Sequence, residues 1–173
     1  MASRTARISR TRAPPLPVSS RCRSLPLTNW PRKESWKCTI KVFKAVLALD
    51  AVAREGLDPV LVELVQIRAS QINRCAYCID YHTGDARRAG ESEVRIYQLS
   101  AWQEAGLYTA KERAALALTE AVTLLPQGVE DEVYDEAARQ FDDKELAQLI
   151  ALIFTVNAWN RMNVTTRRTP GTE

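Results

Sequence analysis

What the 173-residue chain lacks narrows its class before any motif is considered. No apolar run approaches the roughly 18–20 residues that a membrane-spanning helix needs, so no membrane span is expected. The N-terminal region carries no short apolar core of the secretory type. Long alternating apolar–polar runs are missing, as are Asn-Gly and Asp-Gly hairpin turns, and no strand is expected. No pattern for a flavin, haem or resident metal stands out, so no cofactor is expected. Histidine occurs once and cysteine four times, which leaves few residues for thiol or imidazole chemistry.

Charge is unevenly placed. Residues 1–36 hold eight Lys and Arg, from Arg4 to Lys33, against one acid, Glu34. Sixteen basic and twenty acidic residues follow, a net of about −4 in a chain whose formal total is +3. A mildly acidic body has no basic face for a phosphate backbone, so nucleic acid is not an expected partner. Residues 1–35 also contain five of the eight prolines and few apolar side chains. Such a segment buries too little surface to offset its ordering entropy, and it is expected to be a disordered basic tail. Its Arg- and Ser-rich, acid-poor make-up is shared with organelle transit peptides, and an inert tail is the plainer expectation.

From Trp36 onward the pattern is helical. Trp36, Ile40, Phe43 and Leu47 recur at helical spacing, and Gly56 is placed to end that helix. A second helix starts with Asp58 as N-cap and Pro59 at its first position, with Leu61, Leu64, Val65 and Ile72 on one face. A third runs from Ala76 to about Ala89 and is closed by Gly90. Ser92 caps a fourth, expected to reach Gly106. Thr109 with Glu112, and Asp142 with Glu145, have capping-box spacing and open a fifth and a last helix around a sixth at 130–141. The expectation is an all-α, single-domain bundle over residues 36–173.

The stretch NRCAYCIDYHTGD, residues 73–85, holds two of the four cysteines and the only histidine. In a helix beginning near Cys75, Cys78 lies one turn on, and His82 stands at i+4 from Cys78 on the same face. Cys75 falls at the helix start, where backbone N–H groups are unpaired and the dipole is positive. A helix N-terminus or a nearby imidazole lowers a thiol pKa from about 8.5 and makes it a nucleophile. Two cysteines three apart can then close a disulfide and be reset by exchange. Glu63, on the preceding helix, is placed for a short turn to bring it towards His82, giving a Glu–His–Cys relay. Two other readings use the same residues. Cys75, Cys78, His82 and Glu63 are a possible zinc set, although the chain has no second ligand pair. Otherwise the cysteines are inert and the histidine is a satisfied core residue.

The run from Glu63 to Thr123 resembles the AhpD-like alkylhydroperoxidase branch of the carboxymuconolactone decarboxylase family. The likeness extends from about Trp36 to the closing NAWNRM, residues 157–162. The family motif Glu-x11-Cys-x-x-Cys-x-x-x-His is matched by Glu63, Cys75, Cys78 and His82. The resemblance implies an AhpD-like helical bundle and a dithiol peroxidase for hydrogen or alkyl hydroperoxides. In it Cys78 attacks the peroxide, Cys75 resolves, His82 activates Cys78 and Glu63 completes the proton relay. It also implies a dithiol reductant of lipoyl or thioredoxin type, and a homo-oligomer, commonly a trimer or hexamer. Paired reactive cysteines with no export signal fit a cytoplasmic setting. Two positions depart from the family. Tyr77 stands where studied members have histidine, and Arg74 where many have glycine; Arg74 would either support the Cys75 thiolate or be a solvated surface charge. Other activities on the same residues are a thiol–disulfide sensor or exchange protein with little turnover, and a decarboxylase-type lyase on the same fold. Two further features await a role. Gly84 lies inside the third helix, where it marks close packing or plain tolerance. The last helix carries Asn157, Asn160 and Arg161 on a stripe with Leu146, Leu149, Ile150, Ile153 and Phe154, and such polar groups need partners if buried.

Overall fold

The structure is a computed structural model that describes residues 40–171. The expected tail 1–35, the start of the first helix at Trp36, and Cys22 and Cys38 lie outside the described residues. Among the described residues there are seven α-helices, two short 3-10 turns and no strand, so the chain is all-α as expected. None of these helices is long and apolar enough to cross a membrane.

Local signals set most helix limits. The helices are α1 (Ile40–Ala53), α2 (Pro59–Ile72), α3 (Ala76–Arg88), α4 (Glu93–Gln98), α5 (Ala110–Thr123), α6 (Asp131–Gln140) and α7 (Asp143–Thr165). The Asp58 carboxylate accepts from the Leu61 N–H at 2.9 Å and starts α2. Thr109 with Glu112, and Asp142 with Glu145, form complete capping boxes at α5 and α7. Each such cap is worth about 1 kcal/mol. Gly56 and Gly90, at φ +79° and +95°, turn the chain out of α1 and α3, a conformation that costs glycine least.

The fourth helix is shorter than expected. It passes at Leu99 into a 3-10 turn, Leu99–Ala101. The cause is tertiary: Arg113 on α5 takes the carbonyls of Trp102 at 3.0 Å and Gln103 at 3.2 Å. The Trp102 indole meanwhile donates to Glu120. Side chains of α5 thus satisfy backbone groups that a longer helix would have used itself.

Helix α2 is the axis of the bundle, and every residue from Leu61 to Ile67 is buried. It packs against α3, α5 and α7. One side, through Leu61, Val62 and Val65, joins Leu118, Leu149 and Leu152 in one core cluster. The other, through Leu64 and Ile67, joins Leu99, Trp102 and Leu116 in a second. Burying a leucine such as Leu64 is worth roughly 1.5–3 kcal/mol.

Helix α1 behaves differently. It lies along α7, and of its residues only Ala53 is buried. Ile40 is 46 % and Leu47 51 % exposed, so the expected apolar stripe does not fill the core of this chain. The expected stripe on α7 also breaks at Phe154, which is 47 % exposed while Leu149 and Ile153 are fully covered. Gly84 is not a close-packing site: a Cβ there would meet only the Arg88 guanidinium, at 3.5 Å.

Candidate active site

The site is built where α2 ends and α3 begins. Asn73 ends α2, and Arg74 takes φ +55°. The Arg74 N–H bonds the Gln71 carbonyl at 3.1 Å, and the Cys75 N–H bonds that of Ser70 at 3.0 Å. That left-handed step reverses the chain within two residues, and glycine is its easiest occupant. Arg74 itself is exposed, which fits the surface-charge reading of its side chain.

Cys75 is the N-cap of α3, its sulfur accepting from the Cys78 N–H at 3.3 Å. The two cysteines are joined as a disulfide, with Cα atoms 5.3 Å apart. Both are buried. One turn on, His82 is also buried, and its Nδ1 lies 2.9 Å from Glu63 Oε2. The return of Glu63 towards His82, expected from the turn between α2 and α3, is thus present.

Glu63 is held from a second side. Its Oε1 accepts from Arg54 Nη1 at 2.8 Å. Arg54 also donates to Asp50 at 2.9 Å and to Gln66 at 2.7 Å. Burial by itself would raise the Glu63 carboxyl. The hydrogen bond and charge of His82, joined by the Arg54 guanidinium, outweigh burial and hold it below the usual carboxylate range. An ionised carboxylate only accepts, so His82 Nδ1 carries the hydrogen and Nε2 is left for the cleft. Arg54 in turn is desolvated, but the Asp50 and Glu63 carboxylates raise it above its ordinary value.

On the other flank, Asn163 from α7 donates its amide to the Cys78 sulfur at 3.4 Å. Asn157 and Asn160, expected to need partners, have them. Asn73 donates to both side-chain oxygens, at 2.8 and 2.9 Å. Asn160 reaches Ser70 at 2.9 Å, and Arg161 donates to Asn157 at 2.8 Å. This network ties the end of α2 to α7, so the cysteine turn is pinned by side-chain amide hydrogen bonds, with Arg161 bracing Asn157. Neither Asn157 nor Asn160 touches a sulfur in these contacts.

A cleft of about 230 Å³ opens over the site, between α1, α3 and α7. Cys78 and His82 line it and Cys75 does not. Phe43 and Trp159, edge to face at 5.2 Å, help form its apolar wall. Tyr77 stacks on Tyr81, and the Arg168 guanidinium lies 4.0 Å over the Tyr77 ring.

The zinc set does not assemble in this arrangement. The sulfurs are bonded to each other, and both Glu63 oxygens are engaged, one by a guanidinium. Glu63, His82 and Asp85 do bring possible ligand atoms within 4.8 Å of one another. A cation there would have to displace Arg54 or lie beside its charge, which disfavours it.

Sequence reasoning brought Glu63, Cys75, Cys78 and His82 to one place, and the structure does the same. It missed Asp50, Arg54, Gln66, Asn163 and Arg168. Asp50 and Arg54 stand four apart, a spacing shared by any solvated helix pair. Asn163 is 85 residues from Cys78, and nothing local marks it.

Comparison with known proteins agrees with the geometry. The model of the carboxymuconolactone decarboxylase family matches residues 41–121. The uncharacterized protein YdfG of Bacillus subtilis is 47 % identical over 103 residues, which cover 59 % of this chain and 70 % of that protein. The crystal structure of the ATU0492 protein from Agrobacterium tumefaciens, a protein of unknown function and candidate AhpD antioxidant-defence protein, aligns with a TM-score of 0.78 at 35 % identity, over 83 % of this chain and all of that one. A peroxidase-related protein from Ralstonia eutropha with an alkylhydroperoxidase AhpD core shares the fold at a TM-score of 0.67 and 22 % identity, over 76 % of this chain and 72 % of that one. The chain belongs to the carboxymuconolactone decarboxylase family and is of its AhpD-like kind.

Proposed function

We propose that the protein is a dithiol peroxidase that reduces hydroperoxides. One observation carries the reading. An imidazole oriented by a carboxylate at 2.9 Å stands one helical turn beyond Cys78, and both Cys78 and His82 line the same cleft. In the reduced protein, His82 Nε2 takes the Cys78 thiol proton. The thiolate attacks the outer oxygen of ROOH and the O–O bond breaks. The leaving alkoxide takes a proton from His82 and departs as ROH, and Cys78 becomes a sulfenic acid. The Cys75 thiol displaces that hydroxyl as water and closes the Cys75–Cys78 disulfide. Two electrons and two protons from an external dithiol, of lipoyl or thioredoxin type, then restore both thiols by exchange. The Asn163 amide supports the ionised sulfur by donating to it.

Cys78 is the attacking residue in this reading because it faces the cleft, four residues from His82, while Cys75 is turned to the helix cap. With Tyr77 between the cysteines, the relay ends at His82, since a phenol is a poor base near neutrality. The same reading takes residues 1–35 as a tail and 36–173 as the working domain. It takes the exposed apolar residues of α1 as covered by other subunits, and a reducing cytoplasm as the setting that resets the pair.

The test is a thiol count. The reduced protein should lose two thiols to excess peroxide. With dithiothreitol or dihydrolipoamide present it should then turn over continuously, and Cys78→Ser should abolish that turnover. A single round of oxidation without turnover would instead indicate a redox sensor. Intact thiols would leave a lyase on this fold.

A further inference from the structure

Arg168 is a charge that the relay does not use. It follows the last turn of α7, its N–H bonded to the Asn163 carbonyl at 3.0 Å. It lines the cleft with Cys78 and His82, and its guanidinium lies 4.0 Å over Tyr77, the residue before Cys78. Arg54, the other arginine of the cleft, is neutralised by Asp50 and Glu63. Among the described residues no carboxylate pairs with Arg168. Stacking uses the flat face of a guanidinium and leaves its N–H edge free, and that edge matches a carboxylate in two parallel hydrogen bonds. Phe43, Leu47 and Trp159 give the same cleft an apolar lining. The cleft, about 230 Å³, is far larger than hydrogen peroxide requires and small for a drug-sized ligand.

We propose that the cleft takes an organic hydroperoxide that bears a carboxylate, with the carboxylate held by Arg168, the apolar body against Phe43 and Trp159, and the peroxide group at Cys78. This rests on the peroxidase reading for its chemistry, which is unchanged: the carboxylate stays bound while the O–O bond breaks. The competing role for the cation is to stabilise the Cys78 thiolate. The two separate cleanly. A charge acting on the sulfur speeds every peroxide alike, and an anchor speeds only the acid.

Cumene hydroperoxide and its para-carboxylate derivative, with dithiothreitol as a neutral reductant, provide the test on the full chain. The acid should have a kcat/KM about tenfold higher, carried by a lower KM, as one charge-assisted contact in a partly open site provides. Arg168→Gln should bring the ratio close to one, and Arg168→Lys should retain part of it. Equal values in the unsubstituted protein, or a ratio untouched by Arg168→Gln, would overturn the proposal. Calorimetric titration of the oxidised protein with 4-isopropylbenzoate needs no turnover. Binding weakened about tenfold in Arg168→Gln supports the anchor, and no binding removes it. If neither peroxide is consumed but 4-isopropylbenzoate binds through Arg168, the peroxidase reading fails and the carboxylate site stands. If both peroxides are consumed equally, the site fails and the peroxidase stands.

Discussion

Helices α1 and α2 have the same length, and although α1 is the more apolar in sequence, they end in opposite surroundings. Nine of the fourteen residues of α2 are buried, against one of fourteen in α1. Helix α2 has neighbours on three sides, whereas α1 lies along α7. The difference shows that apolar content predicts a helix with a face to cover, and leaves open which surface covers it. Both helices nevertheless serve the same site. Helix α2 supplies Glu63 and, through its final turn, the placement of Cys75. Helix α1 and the residue after its end supply Asp50 and Arg54, which hold Glu63 from the far side. One helix is a frame that also bears chemistry, and the other is a brace.

The sharpest way to break that division is to remove core volume from the frame. Leu64 has no exposure, so Leu64→Ala should cost about 3 kcal/mol in denaturant unfolding. A cost below about 1 kcal/mol would mean that α2 is not the axis of the bundle. Glu63→Gln removes the charge opposite His82 and should lower kcat/KM for peroxide by about 100-fold. It also leaves Arg54 short of an anion, so thermal unfolding should be followed alongside. A threefold loss would remove Glu63 from the proton relay.

Arg54→Gln tests the brace, with an expected loss of about tenfold in kcat/KM at neutral pH. Its clearer signature is in pH. The Glu63 carboxyl is held low in the folded protein. Its contribution to stability is therefore present above the unfolded carboxylate pKa of about 4.3 and is lost as pH falls through the lower folded value. Without Arg54 the folded pKa rises towards the unfolded one. The acid side of the stability curve, melted between roughly pH 3 and 6, should become shallower in Arg54→Gln. An unchanged curve would show that Arg54 does not act on Glu63. The smallest effect belongs to Leu47→Ala on α1, expected to change the stability of the isolated chain by no more than about 0.5 kcal/mol. A larger loss that grows with protein concentration would show that a second subunit covers α1 in solution.

The legible part of the fold was local. Asp58, Thr109 and Asp142 cap helices where their positions suggested, because a side-chain oxygen reaches an N–H two or three residues on with no help from the rest of the chain. Cys78 and His82 share a face for the same reason, since four residues make about one turn. The fourth helix misled because its end is decided by Arg113, eleven residues beyond Trp102. Of the two readings open for Gly84, plain tolerance holds, because its surroundings are open space and one flexible side chain.

By itself the sequence determined the capped helix starts, the reversal between α2 and α3, and the thiol–imidazole spacing, all of which rest on contacts within a few residues. Tertiary structure alone decided that Arg54 closes on Glu63, that Asn163 reaches the Cys78 sulfur, and that Ile40 and Leu47 of α1 stay outside the core of this chain. Those outcomes depend on how whole helices lie against one another. Packing angles of that kind come from the summed burial of many side chains, and no spacing along the chain encodes them.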